Sequence, residues 1–271
     1  MMNRVLVTGS STGFGRDIAE YFHAEGWHVA ATMRNPAAST LPVSERMQVL
    51  ALDVTDPASI ADAVAQAGPI DVLVNNAGIG WLNALEGTSL DTVRGIFETN
   101  LFGTIAMMQA VLPGMRERRS GMIVNVSSSS LYKPLPLLSV YRASKAAMNA
   151  LTESIALELA QFGIKARTVM PGMAPSTAFA ATAQEQIAAA GGFPEAYAPF
   201  AGETLAMMQS AGQGPVTTAR DVAEAVYRAA TDADCPLVLR APMPWPGQTG
   251  NRRIGRERAF FELLHPDLKQ I

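Results

Sequence analysis

Cysteine is almost absent: Cys235 stands alone in 271 residues, so no disulfide can close within the chain, which fits a reducing compartment. Histidine is nearly as scarce. His23, His28 and His265 are scattered, and the first two flank the end of the first helical segment, where surface or capping roles are expected. No cluster of His, Cys, Asp and Glu has metal-ligand spacing, so no metal is expected. Charged residues are only 17%, and a formal net charge of −3 suggests neither a nucleic-acid nor an anionic-membrane partner. No uncharged apolar run reaches the ~20 residues that span a bilayer. Met1-Met2-Asn3-Arg4-Val5-Leu6-Val7 reads directly as a strand with no charged leader or apolar h-region before it, so no signal peptide is expected. A soluble, cytoplasmic protein is the expectation.

What the chain has is apolar residues, at 48%, enough for a large core and against disorder. They fall in short β-branched runs at 4–8, 28–32, 47–51, 72–75, 122–126, 165–170 and 237–239, which read as strands covered on both faces. Helical patterns lie between them at 14–24, 57–67, 90–118, 141–161 and 219–231, with Asp56-Pro57 as a cap and helix start. The alternation predicts one α/β domain over 1–271: a doubly wound, Rossmann-like parallel sheet of about seven strands with helices on both faces. Residues 172–218, rich in Ala, Gly, Pro and Met, break the rhythm directly after a strand end and are expected to form a substrate lid. Residues 241–271 form a C-terminal extension. Its Arg252, Arg253, Arg256 and Arg258 are expected on a solvated or inter-subunit face.

Between the first strand and first helix stands Thr8-Gly9-Ser10-Ser11-Thr12-Gly13-Phe14-Gly15. Glycines let the backbone approach a pyrophosphate without Cβ clashes, and the following helix start offers free N–H groups and a positive dipole end. Further on, Tyr141-Arg142-Ala143-Ser144-Lys145 places Tyr141 and Lys145 on one helix face. A phenol titrates near ~10, and an adjacent ammonium lowers that value, which suits Tyr141 for acid/base work at neutral pH. The glycine spacing, Asn75-Asn76-Ala77-Gly78 after the fourth strand, the Tyr-x-x-x-Lys pair and Pro171-Gly172 after the sixth strand together resemble the short-chain dehydrogenase/reductase family. The resemblance covers about residues 2–240.

The resemblance implies the following assignments. Asn100, Ser128, Tyr141 and Lys145 would form the catalytic tetrad. Ser128, thirteen residues before the tyrosine in a run of four serines, has Ser127 and Ser129 as register alternatives. Asn100 would hold a water that relays protons to Lys145. The cofactor would rest on Gly9, Ser11, Thr12, Gly13, Phe14, Gly15, Asp53, Val54, Asn76, Ala77, Gly78, Tyr141, Lys145, Pro171, Gly172 and Thr177, with Ser176 as the alternative to Thr177. NAD-preferring relatives carry an acidic residue at the end of the second strand. Here that stretch reads Ala30-Ala31-Thr32-Met33-Arg34-Asn35-Pro36, and the Arg34 guanidinium suits a 2′-phosphate. NADP(H) is therefore expected to be preferred, with NAD(H) possible as an alternative cofactor.

The expected activity is interconversion of a ketone or aldehyde with an alcohol, as a carbonyl reductase for bulky uncharged substrates. Leu131, Leu138, Met173, Phe179 and Met207, with Ser128, are the candidate substrate contacts. Other apolar wall candidates include Trp81, Leu137 and Phe200. No Arg or Lys lies between Gly172 and Ala219, which disfavours a buried anionic substrate. The long helices at 90–118 and 141–161 resemble those of the family's subunit interface, so a homodimer or homotetramer is expected, with Met107, Met108, Leu112, Leu151, Ile155 and Leu159 contributing buried surface, some of them toward the sheet. Two alternatives have the same fold: a non-catalytic NADP(H)-sensing regulatory protein, and an NAD-dependent alcohol dehydrogenase. The former typically lacks the Tyr–Lys pair that this chain keeps. An epimerase or dehydratase is disfavoured by the glycine spacing and the absence of a substantial C-terminal domain.

Overall fold

Seven short aliphatic runs pair side by side in one fully parallel sheet, in the order β3-β2-β1-β4-β5-β6-β7. The strands are β1 (Arg4–Val7), β2 (His28–Met33), β3 (Met47–Ala51), β4 (Val72–Asn75), β5 (Gly121–Val126), β6 (Ile164–Met170) and β7 (Val238–Arg240). The computed structural model describes residues 3–132, 135–174, 179–211 and 216–241. The helices described are α1 (Gly13–Ala24), α2 (Pro57–Ala67), α3 (Leu90–Phe97), α4 (Gly103–Arg118), α5 (Ser139–Ala160), α6 (Phe179–Ala189), α7 (Ala198–Ala211) and α8 (Ala219–Thr231).

Both sheet faces are buried, as parallel strands require. On one, Val5, Val7, Val29, Val72 and Val124 meet Ile18 and Phe22 of α1 and Val222 and Val226 of α8. On the other, Leu6, Leu73 and Ile123 meet Ile60 of α2, Met107 and Met115 of α4, and Ala156 of α5. Alternate residues of a strand point to opposite faces, so adjacent apolar residues such as Val5, Leu6 and Val7 feed both cores. Of the six apolar residues singled out on the two long helices, Met107, Met108 and Leu159 are the ones buried in this second core against the sheet.

The segment expected to be one helix over 90–118 is interrupted. Between α3 and α4 the backbone widens into a π-helical turn, Glu98–Phe102, which contains the buried Asn100. Such turns add a residue without ending the helix, and here the extra residue carries an inward polar side chain. Pro113 sits inside α4 without breaking it.

The 172–218 insertion contains no strand among its described residues, as expected, but it includes two helices, α6 and α7, that periodicity did not reveal. Its two ends meet. Gly172 N donates to Thr217 Oγ1 at 3.2 Å, and Thr217 N donates to Met173 O at 2.9 Å. The insertion is thus anchored at the carboxyl end of β6, on the same edge as the ends of β4 and β5.

Candidate active site

The sheet order changes direction between β1 and β4, and the glycine turn lies there. Its shape is fixed by β4. Thr8 Oγ1 accepts from Asn76 N at 3.0 Å and Ala77 N at 2.9 Å, while Asn76 Nδ2 donates to Thr8 O at 2.9 Å and Gly9 O at 3.1 Å. Gly9 has φ +70°, and a Cβ there would lie 2.9 Å from Ala77 Cα. A Cβ on Gly15 would fall 2.2 Å from Gly9 O. Only glycine fits either position. The N-terminus of α1 follows, where Thr12 makes no capping bond through its side chain and the first turn carries no acidic residue. Backbone N–H groups and the positive helix end therefore remain for an anion such as a pyrophosphate. Ser11 and Thr12 are exposed beside them.

Arg34 is exposed one residue beyond β2. The Asp53 carboxyl is held below the usual range, chiefly by the Thr55 backbone and hydroxyl and also by the nearby Arg34 charge. Val54 turns its side chain into the core, where a Cβ on Gly103 would meet it at 2.8 Å. These residues lie along the ends of β2 and β3 on the same side of the sheet as the glycine turn. The cradle, the open helix start and the cation at the strand end fit a dinucleotide.

Past β4 and β5 the polar side chains converge. A Cβ on Gly78 would lie 3.1 Å from Asn100 Oδ1 and 3.5 Å from Lys145 Nζ, so the three positions share one point. Asn100 Oδ1 accepts from Ile79 N at 2.8 Å, and Asn100 Nδ2 donates to Ile79 O and Ser144 Oγ, each at 3.0 Å. Ser144 Oγ donates to Tyr141 O at 2.8 Å. Both amide hydrogens of Asn100 are thus used in tying the π turn to the loop after β4 and to the first turns of α5. The expected water cannot be held by those hydrogens; the Asn100 side chain clamps the scaffold.

Tyr141 and Lys145 are both buried, at 7% and 5% exposure. Lys145 Nζ donates to Val126 O at 2.9 Å. Burial brings its pKa down to about 8. Burial pushes the Tyr141 hydroxyl up to about 12, while a hydrogen bond with the Ser128 side chain pulls the other way. The expected net lowering of the phenol by the ammonium is not found in this state, because desolvation of the phenol outweighs the stabilisation of its charged form. Of the three serines left open by the sequence, Ser128 is the one bonded to Tyr141. Ser127 is buried with its Oγ unbonded among the described residues.

The expected substrate contacts separate. Leu131 and Leu138 are half-buried on the approach to α5, and Met173 is exposed just past β6. Met207, with Phe200, stands in solvent on α7, outside the clusters by which the insertion packs, because the inner side of α7 is taken by Ala201. Trp81 is core rather than pocket wall, packed with Ile96, Val140 and Ile187. Leu137 is buried with Ala84 and Ala201 at φ +64°. Thr177, its alternative Ser176, the Phe179 side chain and residues 242–271 lie outside the described residues.

Two positions were not singled out by sequence. Asn83 is buried; its N donates to Leu137 O at 2.9 Å and its Nδ2 to Gly192 O at 3.1 Å, joining the loop after β4 to the approach of α5 and to the insertion. Ser130 is buried beside Ser128, at 2.9 Å between their hydroxyl oxygens. Only the serine run itself hinted at it.

The arrangement has relatives. A family model described as short chain dehydrogenase matches residues 3–188. Retinol dehydrogenase 8 of Bos taurus is 35% identical over 258 residues, covering 87% of this chain and 80% of the relative. A solved short-chain dehydrogenase from Streptomyces avermitilis is 33% identical with a TM-score of 0.75, over 99% of this chain and 95% of that one. A structure of ElxO with NADP bound is 27% identical with a TM-score of 0.70, over 89% and 97%. Among the described residues no helix is long and apolar enough to cross a membrane, and no group of side chains could hold a metal ion. The chain belongs to the short-chain dehydrogenase/reductase family and is an oxidoreductase acting on the CH–OH group of its donors with a nicotinamide cofactor.

Proposed function

We propose that the protein is an NADP(H)-dependent carbonyl reductase for bulky, uncharged ketones or the matching secondary alcohols. The observation that carries this reading is the half-buried Ser128 hydroxyl paired with the buried Tyr141, with the Lys145 ammonium beside Gly78. A nicotinamide bound there supplies or accepts the hydride. Ser128 donates a hydrogen bond to the carbonyl oxygen, and Tyr141 gives that oxygen its proton. The protonated phenol suits the reductive direction, since its raised pKa keeps it loaded at neutral pH. Lys145 holds the ribose and offsets the charge left on Tyr141. Asn100 keeps the π turn against the Tyr141 helix.

Arg34, with no carboxylate in residues 30–36, supports NADP(H) over NAD(H). The lack of any Lys or Arg in 172–218 supports an uncharged substrate, with that segment as its lid. The bovine relative is named for an uncharged, bulky alcohol, which agrees. The chain is proposed to work as a homodimer or homotetramer.

One experiment tests the reading: rates with NADPH and NADH on aryl or long-chain ketones and on short keto acids, for wild type, Tyr141→Phe and Arg34→Asp. Tyr141→Phe should lose about 10²–10⁴-fold in kcat. Arg34→Asp should narrow or reverse an NADPH preference. Retention of more than about a tenth of kcat by Tyr141→Phe removes the acid/base assignment, equal kcat/KM for the two cofactors in wild type removes the cofactor assignment, and efficient turnover of keto acids with bulky ketones inert removes the substrate class.

A further inference from the structure

Ser128 has more hydrogen-bond partners than it has protons. Its Oγ accepts from Ser130 N at 3.2 Å, lies 2.9 Å from Ser130 Oγ and is bonded to Tyr141. A hydroxyl has one hydrogen and two lone pairs. The Ser130 backbone takes one lone pair. If Tyr141 donates to the other, the Ser128 hydrogen must go to Ser130, which is how the pair is oriented. In that arrangement Ser128 has no hydrogen left for a carbonyl oxygen.

Ser130 is well placed to change this. It is 8% exposed, and its carbonyl is gripped by Arg142 Nε at 2.7 Å, one residue after Tyr141. The serine pair and the tyrosine are therefore fixed to the same helix turn. The preceding Ser129 N donates to Pro171 O at 2.9 Å, which pins the run to the end of β6.

We propose that Ser130 is a positioning residue that sets the direction of the Ser128 proton, a role that rests on the reading of Ser128 and Tyr141 given above. When a carbonyl oxygen comes between Tyr141 and Ser128, Tyr141 turns its hydrogen to that oxygen and releases a lone pair of Ser128. Ser130 rotates its own hydrogen onto that lone pair, and Ser128 swings its hydrogen from Ser130 to the carbonyl. No bond to hydrogen breaks in this step; two hydroxyls rotate. The chain Ser130–Ser128–carbonyl then runs in one direction, each bond polarising the next as negative charge gathers on the oxygen. The benefit grows toward the transition state, so it falls on kcat rather than KM.

The test compares Ser130→Ala, Ser130→Thr and Ser130→Cys with wild type, on whichever ketone wild type reduces, with Tyr141→Phe alongside. Ser130→Ala should lower kcat about tenfold with KM within about twofold. Ser130→Thr, which keeps the hydroxyl, should restore most of kcat. Ser130→Cys keeps a similar shape but donates weakly and should resemble Ser130→Ala. Full kcat in Ser130→Ala and Ser130→Cys overturns the proposal, as does a loss carried by KM, or one that Ser130→Thr leaves unrepaired. If Tyr141→Phe is active, the acid/base reading fails; if it is inactive while Ser130→Ala is not, only the role of Ser130 fails.

Discussion

Lys145 is held where water cannot reach it, and burial alone lowers its pKa to about 8 from 10.5. Among the described residues its hydrogen-bond partner is the neutral carbonyl of Val126. Between those two values the unfolded chain binds more protons than the folded one, so stability rises with pH there. Below about 8 both states hold the proton and the cost is fully present, on the order of 3 kcal/mol. The raised value of Tyr141 acts only above its ordinary 10.0 and in the opposite direction. Lys145→Met is therefore expected to stabilise the cofactor-free protein at neutral pH by about 1–2 kcal/mol, less than the full cost because Val126 O loses a donor, while abolishing turnover. Urea unfolding at several pH values between about 7 and 10 checks this. A mutant with wild-type stability and the same upward slope would count against it. The lysine was legible as a candidate site residue from Tyr-x-x-x-Lys taken together with the other family motifs. The strain of its burial was not, because that depends on what α5, β5 and the π turn place around it.

Helix ends divide in the same way. Asp56 caps α2 by accepting from Ala58 N at 2.9 Å, as Asp-Pro suggested. Thr218 and Asp221 form a capping box on α8, also a local pattern. The other end of α8 is closed from a distance. Arg167 on β6, 5% exposed, donates through Nη1 to Ala229 O at 2.8 Å and Asp232 O at 2.6 Å, and through Nη2 to Ala233 O at 2.9 Å. Nothing near Arg167 in sequence announces this. Arg167→Met should leave three carbonyls without their donor and reduce stability by about 2–4 kcal/mol, with kcat unchanged well below the melting temperature. Thermal melts paired with initial rates decide it. A wild-type Tm would show that the helix end is satisfied otherwise. The π turn belongs to this scale too: the continuous pattern over 90–118 concealed it, since apolar spacing tolerates one extra residue.

At the scale of the molecule, α5 presents small exposed residues, Ala143, Ala146 and Ala150, along a groove of about 550 Å³ that also takes in Leu131, Arg142 and Asn149. Asn149 Oδ1 is buried there and unbonded among the described residues. Small side chains let a second helix approach closely, so a bulky charge at their centre should prevent assembly. Light scattering at micromolar concentration is expected to give a dimer or tetramer for wild type and a smaller species for Ala146→Arg. A monomeric wild type would end the idea. The alternation of strand and helix was readable along the chain, but the strand order was not, because no strand names its neighbour. That order also governs time. β1 is made before the other strands of the sheet, yet it lies inside it, and its second neighbour does not begin until Val72. Until Asn76 and Ala77 have been synthesised, the glycine turn has nothing to press against and Thr8 has no amides to receive. The stretch from β1 through the glycine turn must therefore wait, with one strand edge open, for a segment nearly seventy residues later before it can take the shape that binds a dinucleotide.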